Sequence, residues 1–303
     1  MADSITSTYA GEAAGGYIRA AVLAPKSLDG MTVKPNIKYK QVVKKGAYSV
    51  ALANASASGD CDFTSVGDLT VTERILSPER FKINKSICRN DFLADWDALS
   101  MGASAHNTEG PANATDFLIE QLGAGVAAEI ETTIWQGINA TAGEIDGFET
   151  LFAGDSDVVD VTAANFTASN IDDAFNTMLN AVPDAVKASK DNLRLYVNSS
   201  ALWYYNQFLM ANGHGGMNIY NGEIPTLSYA GIQIVECPGM SDNKAVIADH
   251  RNLWFGTNVE SDFNEVKVLD QSNVDGSDNI NFVMKLAFAV QYGIGTEIVY
   301  LNA

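Results

Sequence analysis

The residues with side chains suited to chemistry are few and scattered along the chain. There are three histidines and three cysteines, and no two cysteines form a CxxC pair. Neither the GxSxG pattern of serine hydrolases nor the HExxH pattern of zinc proteases occurs. An odd number of widely spaced cysteines argues against a disulfide framework or a structural zinc site. The sequence therefore marks no catalytic centre, metal site or cofactor site, although a Ser/His/Asp triad assembled by the fold stays open.

Several short motifs favour a structural interpretation over a chemical one. Gly213–Gly216 lacks the lysine of a phosphate-binding loop and is typical of a mobile loop. The segment Gln271–Gly276 lacks the first acidic ligand of a calcium loop, so it is interpreted as a hairpin turn. A solvated acidic loop is expected at residues 155–160. We expect structural roles also for the two thiols and the imidazole that lie in or beside predicted strands, namely Cys88, Cys237 and His250.

Charge is divided unevenly between the two ends of the chain. The net charge is −18 over 303 residues. Residues 1–90 hold 12 basic and 8 acidic residues, a net of +4, whereas residues 91–303 hold 7 and 29, a net of −22. Either the basic end binds DNA, or it lies on the acidic body of another copy; the third interpretation is that both regions are simply solvated. Charged residues make up 18%, below the usual ~25%, which fits a chain covered by copies of itself.

Lysines concentrate in a predicted β-hairpin. Residues 31–53 alternate β-branched and aromatic residues with lysines, residues 53–60 form a small-residue tip, and strand-like sequence returns at residues 63–72. A long hairpin alone in water is marginally stable, so this one is expected to lie on another surface. On a regular strand, three of the lysines would share one face. The candidate contacts between subunits are Lys34, Lys38, Lys40, Lys44 and Lys45.

The remaining pattern predicts an α+β chain. The spacing of six apolar residues predicts one long helix over residues 114–138, with a single apolar stripe formed by Ile119, Leu122, Val126, Ile130, Ile134 and Ile138. Residues 1–30 read as an arm. Helices are expected at 168–190 and 200–211, and strands at 193–197, 227–235, 244–248, 265–269, 281–290 and 297–301. No run of about 18 apolar residues occurs, so no membrane-spanning helix and no membrane partner are expected.

Three C-terminal stretches carry a resemblance. Residues 247–257 (IADHRNLWFGT), 261–269 (SDFNEVKVL) and 288–300 (FAVQYGIGTEIVY) resemble the ends of tailed-phage major capsid proteins. The order of predicted elements is similar to the Hong Kong 97-type capsid fold of that family. The resemblance implies an N-terminal arm at 1–30, an E-loop hairpin at 31–75 and a peripheral domain at 76–149 with a spine helix at 114–138. It also implies an axial domain at 150–257, and return of residues 258–303 to the peripheral domain.

The resemblance also implies a function. The chain is expected to be no enzyme but a structural protein that self-assembles, as hexamers and pentamers, into an icosahedral head shell around double-stranded DNA. Scaffolding, portal and decoration proteins are the further partners implied, and the virion, with the host cytoplasm during assembly, is the location. Some relatives begin with a cleaved scaffolding segment, and this sequence begins with a short arm instead. The alternatives are an encapsulin-like nanocompartment shell and a soluble hydrolase with a site within residues 150–257.

Overall fold

A computed structural model describes residues 6–10, 25–37, 39–48, 69–88, 114–141, 143–188, 190–213, 227–258, 265–271, 276–277 and 279–303. Within these residues, the helices are α1 (Ala114–Gln136), α2 (Phe148–Ala153), α3 (Ile171–Ala181), α4 (Asp184–Lys187) and α5 (Ser199–Ala211). The strands are β1 (Thr6–Ala10), β2 (Thr32–Lys34), β3 (Gln41–Tyr48), β4 (Leu69–Leu76), β5 (Glu79–Cys88), β6 (Val159–Val161), β7 (Leu193–Val197), β8 (Ser228–Tyr229), β9 (Ile232–Glu236), β10 (Lys244–Asp249), β11 (Leu253–Thr257), β12 (Glu265–Asp270), β13 (Asn279–Tyr292) and β14 (Val299–Asn302). None of these helices is both long enough and apolar enough to cross a membrane.

The described strands form two six-stranded sheets and one hairpin. The first sheet has the order β1-β12-β13-β11-β2, and β5 also pairs with β13. The second sheet has the order β6-β14-β10-β7-β9-β8, and β3 pairs only with β4. This mixture of helices and sheets confirms the predicted α+β class.

Strand β13 is the centre of the first sheet. It pairs antiparallel with β5 and β12 along its first part and with β11 near its end. Its apolar side chains alternate with polar ones, so every second residue is buried over this first part. Phe288 stacks between Phe81 of β5 and Phe255 of β11, with ring centroids 4.7 and 5.8 Å apart. The sequence predicted this strand at 281–290, and the structure extends it by two residues at each end.

Helix α1 confirms most of the predicted apolar stripe. Val126, Ile130 and Ile134 are buried in the same core cluster as β13. The helix ends at Gln136 and not at 138, so Ile138 is exposed. It ends there because the backbones of Gly137 and Gly147 approach each other, with the amide of Gly147 donating to the carbonyl of Gly137 at 2.8 Å. A Cβ on either glycine would lie within 2.7 Å of a backbone oxygen, so both positions require glycine.

Part of the predicted arm belongs to the core. Residues Lys26–Gly30 form a 3₁₀ turn against α1, and Ser27 and Leu28 are buried. The carboxylate of Glu131 accepts hydrogen bonds from the amide and the hydroxyl of Ser27, and the indole of Trp135 donates to that hydroxyl at 2.7 Å. The expectation that residues 1–30 are only an arm is therefore corrected for 26–30, where a buried carboxylate needs these donors.

The second sheet encloses a core of its own. Helices α3 and α5 pack against it, and the cluster contains Ile171, Phe175 and Met178 of α3 with Val197 of β7. Asn198 caps α5, because its side-chain oxygen accepts from the amide of Ala201 at 2.7 Å. The helices predicted at 168–190 and 200–211 are both found, the first of them divided into α3 and α4 at Pro183.

The two sheets exchange strands across the predicted boundary at residue 257. Strand β11, expected in the axial domain, lies in the first sheet, and β14, expected in the peripheral domain, lies in the second. After β10, the chain crosses to the first sheet before β11 and back to the second before β14, and Asn252 links these two crossings. Its side-chain oxygen accepts from the amides of Gly293 and Ile294 at 3.1 and 2.8 Å, and its amide donates to the carbonyl of Ile294 at 2.9 Å. No local sequence pattern predicts this exchange, because the linked residues lie about forty positions apart.

Candidate assembly interface

The predicted hairpin is present but begins later than the sequence indicated. Strands β3 and β4 pair antiparallel from Gln41 opposite Leu76 to Tyr48 opposite Leu69. Residues Thr32–Lys34, expected in the hairpin, form β2, which pairs parallel with β11 in the first sheet. The strand is interrupted because Pro35 has no amide hydrogen to donate and Asn36 has a φ of +65°. The predicted tip at 53–60 lies outside the described residues.

The inner face of the hairpin is anchored to the body of the subunit. Leu76 is fully buried beside Ile37 and Trp254, and Val43 packs against the same cluster. Gly256 of β11 allows this approach, since a Cβ there would lie 2.6 Å from the Leu76 side chain. The root of the hairpin is therefore held by apolar packing against the first sheet.

An ionic contact reinforces this anchor. Arg74 lies directly opposite Val43 in the register, and its guanidinium binds the carboxylate of Asp155 in the loop after α2. The hydroxyl of Tyr292 donates to the same carboxylate oxygen, and the Arg74 guanidinium carbon lies 4.4 Å from the centroid of the Tyr292 ring. We call these three residues the hairpin clamp. The clamp joins β4, the α2 loop and β13.

The clamp has a clear electrostatic signature. The hydrogen bond from Tyr292 lowers the pKa of Asp155 to about 2, with the Asp157 amide and the Arg74 guanidinium acting in the same direction. Partial burial, together with the hydrogen bond to Asp155, raises the pKa of Tyr292. Asp155 is therefore ionised and Tyr292 neutral at physiological pH, which is the state in which the clamp is strongest.

The outer face of the hairpin exposes apolar side chains on either side of the cross-strand position of Lys44 and Glu73. Val42 lies directly opposite Ile75, and Val71, which lies opposite Gly46, projects on the same side by strand periodicity. Tyr39, just before β3, is also exposed. The fractional exposures are 48% for Val42, 53% for Ile75, 54% for Val71 and 76% for Tyr39. A two-stranded ribbon with one apolar face open to water resembles half of an interface.

Comparison with known proteins places this geometry in a fold. No protein-family model matches the sequence, and no curated protein sequence matches it. Solved structures do match over nearly the whole chain. The capsid of a native GTA particle has a TM-score of 0.58 and 13% identity, covering 99% of this chain and 93% of that one. Gordonia phage Cozz gives 0.59 and 14% over 92% and 87%. The satellite phage P4 procapsid, which includes a size determination protein, gives 0.57 and 8% over 95% and 98%.

This chain has the tailed-phage capsid fold. The expectation of a Hong Kong 97-type capsid fold, made from three C-terminal stretches and the order of elements, is therefore confirmed. At identities of 8–14%, the likeness is one of fold, and most of the side chains that fill this capsid fold differ from those of the matched structures.

The capsid fold separates the five candidate lysines. Lys34 ends β2, and its ammonium lies 4.1 Å from the centroid of the Trp254 ring of its own chain, where burial lowers its pKa. Lys40 is exposed immediately before β3, and Lys44 and Lys45 lie on β3 opposite Glu73 and Thr72. Lys38 lies outside the described residues. The expectation of one regular strand carrying Lys38, Lys40 and Lys44 on one face is wrong, because β3 begins only at Gln41.

Two cations of the basic N-terminal part find acids of the acidic part within the same chain. Lys26 binds Glu236 at 3.0 Å, and Arg74 binds Asp155 in the clamp. Some of the opposite charges of the basic and acidic parts are therefore paired within the subunit. No local sequence pattern predicts the clamp, because its three residues are separated by 81 and 137 positions.

Within the described residues, the histidine and the cysteine considered as reactive groups have structural roles. The ring nitrogen Nδ1 of His250 lies 3.0 Å from the carbonyl of Asn192, and burial strongly raises the pKa of the Cys237 thiol. Cys88 is only half-buried at the end of β5, so it is less of a core thiol than expected. Among the described residues, no group of histidine, cysteine and acidic side chains is arranged to hold a metal ion.

Proposed function

We propose that this chain is a major capsid protein, which self-assembles through hexamers and pentamers into an icosahedral head shell enclosing double-stranded DNA. The observation that carries the proposal is the exposed apolar outer face of a hairpin anchored on its other face, in a chain whose capsid fold extends over 92–99% of its length. A free subunit would keep this face in water, whereas a shell covers it at every copy.

The proposed contact joins the hairpin of one subunit to the acidic body of the next. Val42, Val71 and Ile75 would be buried in this contact. Beside them, Lys38, Lys40 and Lys44 would face acids of a neighbour's residues 91–303, which carry a net charge of −22. Lys45 is a weaker candidate, because its position in β3 has the parity of Val43 on the anchored face. Lys34 is no longer a strong candidate, because its ammonium is already engaged with Trp254.

The segments take the roles that the fold suggests. Residues 31–75 would be the E-loop, with β3 and β4 as its root, and α1 the spine helix of a peripheral domain. Residues 150–257 would form the axial domain, except that β11 belongs to the peripheral sheet and β14 completes the axial one. In this fold, one face of the second sheet packs with α3 and α5 in a core of its own, and the other face, through Tyr196, Val246 and Tyr300, belongs to the core of α1 and the first sheet.

The interior of the shell would repel DNA rather than bind it. Residues 91–303 are strongly acidic, so contacts with DNA would come from the basic N-terminal part, without sequence preference, and would weaken steeply with salt. A scaffolding protein, a portal and decoration proteins are the further partners proposed; the P4 procapsid structure includes a size determination protein. The subunit would assemble in the host cytoplasm and end in the virion.

Two other functions compete with this one. An encapsulin-like nanocompartment would use the same shell chemistry around cargo proteins. The matched structures include a virus-like particle from Pyrococcus furiosus, at a TM-score of 0.50 and 15% identity, but the phage and GTA capsids match with higher TM-scores, which favours the first proposal. A soluble hydrolase would need a substrate site in residues 150–257. A cavity in the described part of this region, between Phe166, Tyr204 and Asp242, has a volume of about 110 Å³, below the ~300 Å³ of ordinary ligand pockets. The neighbours point to a non-enzymatic role.

The test is assembly of the purified full chain, followed by electron microscopy and by assay of nuclease-protected nucleic acid. Shells are expected from the wild-type chain, supplied with its scaffolding protein where it needs one. The double variant Val42→Thr/Ile75→Thr keeps strand propensity but removes the apolar outer face, so it should stay folded and lose shells. Ile138→Thr, which alters an exposed apolar residue outside the hairpin, is the control.

Three outcomes separate the competing functions. Shells with protected DNA support the capsid proposal, and shells that retain protein cargo but no DNA support the nanocompartment. A chain that remains monomeric at every concentration, with or without scaffold, would refute both. Normal shells from the Val42→Thr/Ile75→Thr variant would show that the outer face is not the contact.

A further inference from the structure

Helix α5 exposes a second apolar face, far along the chain from the hairpin. Trp203 is 65% exposed and Met210 62% exposed. They are seven positions apart, or two helical turns, so both lie on one side of the helix, with exposed Gln207 between them. Exposure of a tryptophan over most of its surface is uncommon, since Trp is usually among the more buried residue types.

The core of the second sheet does not use this face. The opposite side of α5 supplies buried Ala201 and Tyr205, and Leu202, Phe208 and Leu209 pack partly against the same cluster. The ring of Tyr205 contacts Phe175 and Tyr229 at centroid distances of 5.7 and 6.0 Å. The helix is therefore anchored without Trp203 and Met210, which leaves their side chains for a contact outside the subunit.

The charge of the region indicates what the partner is. Helix α5 contains no charged residue, and no Asp, Glu, Lys or Arg occurs from Leu195 to Gly222, the longest such stretch in the chain. The remainder of residues 91–303 is strongly acidic. Two copies that approach through acidic surfaces repel each other, whereas an approach through this neutral face avoids that repulsion. A cationic partner would find no counter-charge here and would be drawn to the acidic surfaces instead.

We propose that the face of α5 formed by Trp203, Gln207 and Met210 is a contact with a second copy of this chain, separate from the hairpin contact. The inference rests on the proposed self-assembly. In this contact, two copies would meet through apolar packing of α5. The hairpin contact, in contrast, combines apolar residues with lysines. Trp at such a position is the residue type most often found to dominate binding at interfaces.

Tryptophan fluorescence tests the proposal directly. Trp135 and Trp254 are buried within the subunit, so Trp203 is the exposed tryptophan among the described residues. On assembly, the wild-type emission should shift to the blue and become less accessible to acrylamide. Subtraction of the Trp203→Phe signal assigns the change to Trp203, whatever Trp96 contributes.

A charge placed on this face gives the functional test. Met210→Asp should reduce the assembled fraction at a fixed subunit concentration by about tenfold, while leaving the circular dichroism spectrum unchanged. Asn180→Asp, which adds the same charge at an exposed position on α3, should assemble normally. Because position 210 is mostly exposed, misfolding is not expected to confuse the result.

The outcomes separate this inference from the proposed function. Shells in which Trp203 remains as accessible to acrylamide as in the free subunit would overturn the α5 contact and leave the capsid proposal standing. Protection of Trp203 by a different protein while the chain itself stays unassembled would also overturn it, because the partner would not be a second copy. A chain that never assembles would remove both.

Discussion

The second sheet and the β3–β4 hairpin bury their apolar residues in different ways. The second sheet covers its strands with α3 and α5, and its central strands β7 and β10 are buried along most of their length. The hairpin has only two strands; one face is held by the clamp and by Leu76, and the other presents Val42, Val71 and Ile75 to water. The second sheet is covered within one chain, by α3 and α5 on one face and by the core that contains α1 on the other, whereas the outer face of the hairpin is covered only in an assembly.

This difference shows which region is stabilised within one subunit and which is stabilised by assembly. Burial of apolar surface contributes roughly 25 cal/mol per Å², and the second sheet gains this within one chain. The hairpin gains it on one face alone, and a two-stranded ribbon adds little by itself. Substitutions in the second sheet should therefore change unfolding, whereas substitutions on the outer face of the hairpin should change assembly.

The largest effect is expected for Phe175→Ala in the second core. Phe175 is fully buried and contacts the rings of Phe166, Tyr205 and Tyr229. Its removal should lower the free energy of unfolding by ~3–5 kcal/mol, as for other buried phenylalanines. Urea unfolding of the unassembled subunit measures this. Tyr39→Ala, the counterpart at the exposed hairpin root, should change it by less than about 0.5 kcal/mol. Equal changes in the free energy of unfolding for Phe175→Ala and Tyr39→Ala would contradict this difference between the second sheet and the hairpin.

A smaller and more local effect is expected from the hairpin clamp. Arg74→Gln removes the cation from Asp155, and Tyr292→Phe removes the hydrogen bond from the phenol. Each should ease local opening of β4 by about 1.5–3 kcal/mol, since hydrogen bonds to a charged group contribute about that much. Hydrogen exchange should rise in β3 and β4 and stay constant in β7 and β10.

The exposed pair between Lys187 and Asp184 supplies the control for the clamp. Lys187→Gln should alter exchange in neither region, because Asp184 is almost fully exposed and the pair is solvated. If both clamp variants left exchange of the hairpin unchanged, the apolar anchor at Leu76 alone would hold its root.

Individual helices and strands could be predicted from the sequence better than the contacts between them. The stripe of α1 through Ile134 and the alternation in β13 are local patterns, so they could be read directly. The capsid fold followed from a resemblance over about a sixth of the chain. The clamp, the exchange of β11 and β14, and the bonds of Ser27 to Glu131 depend on residues from about 40 to 140 positions apart, and no local pattern encodes such pairs.

The lysines show why one strand-level prediction failed. Lysines two or four positions apart share a face only if residues 31–53 form one regular strand. β2 ends at Lys34 instead, and the left-handed backbone at Asn36 redirects the chain. After this turn, Lys34 belongs to a sheet and Lys40 precedes a hairpin strand. A single residue with positive φ thus separates charges that the sequence placed together.

Acid should release the clamp before it affects the second core. Asp155 has a pKa of about 2 in the folded chain against an ordinary value of 3.8, chiefly because Tyr292 donates to it. Its contribution to stability is therefore complete above about pH 4 and is lost as the pH falls through about 2. Hydrogen exchange between pH 4 and 2, corrected for intrinsic rates, should show the hairpin opening first. In Tyr292→Phe, the opening should move to higher pH; an unchanged pH dependence would mean that Tyr292 does not set the ionisation of Asp155.

The smallest effect per contact is expected for the lysines beside the outer face. Each exposed ion pair contributes only ~0.2–1 kcal/mol, and salt screens it within ~10 Å. A shell repeats the contact at every subunit, so a loss of this size still decides whether assembly is completed. Lys38, Lys40 and Lys44 replaced together by Glu should leave the circular dichroism and unfolding of the subunit unchanged but reduce the yield of shells. The same exchange at Lys82, Lys187 and Lys190, outside the hairpin, should reduce it less. Equal yields from the two triple variants would mean that net charge alone governs assembly, and that the hairpin joins its neighbour through the apolar face without help from its lysines.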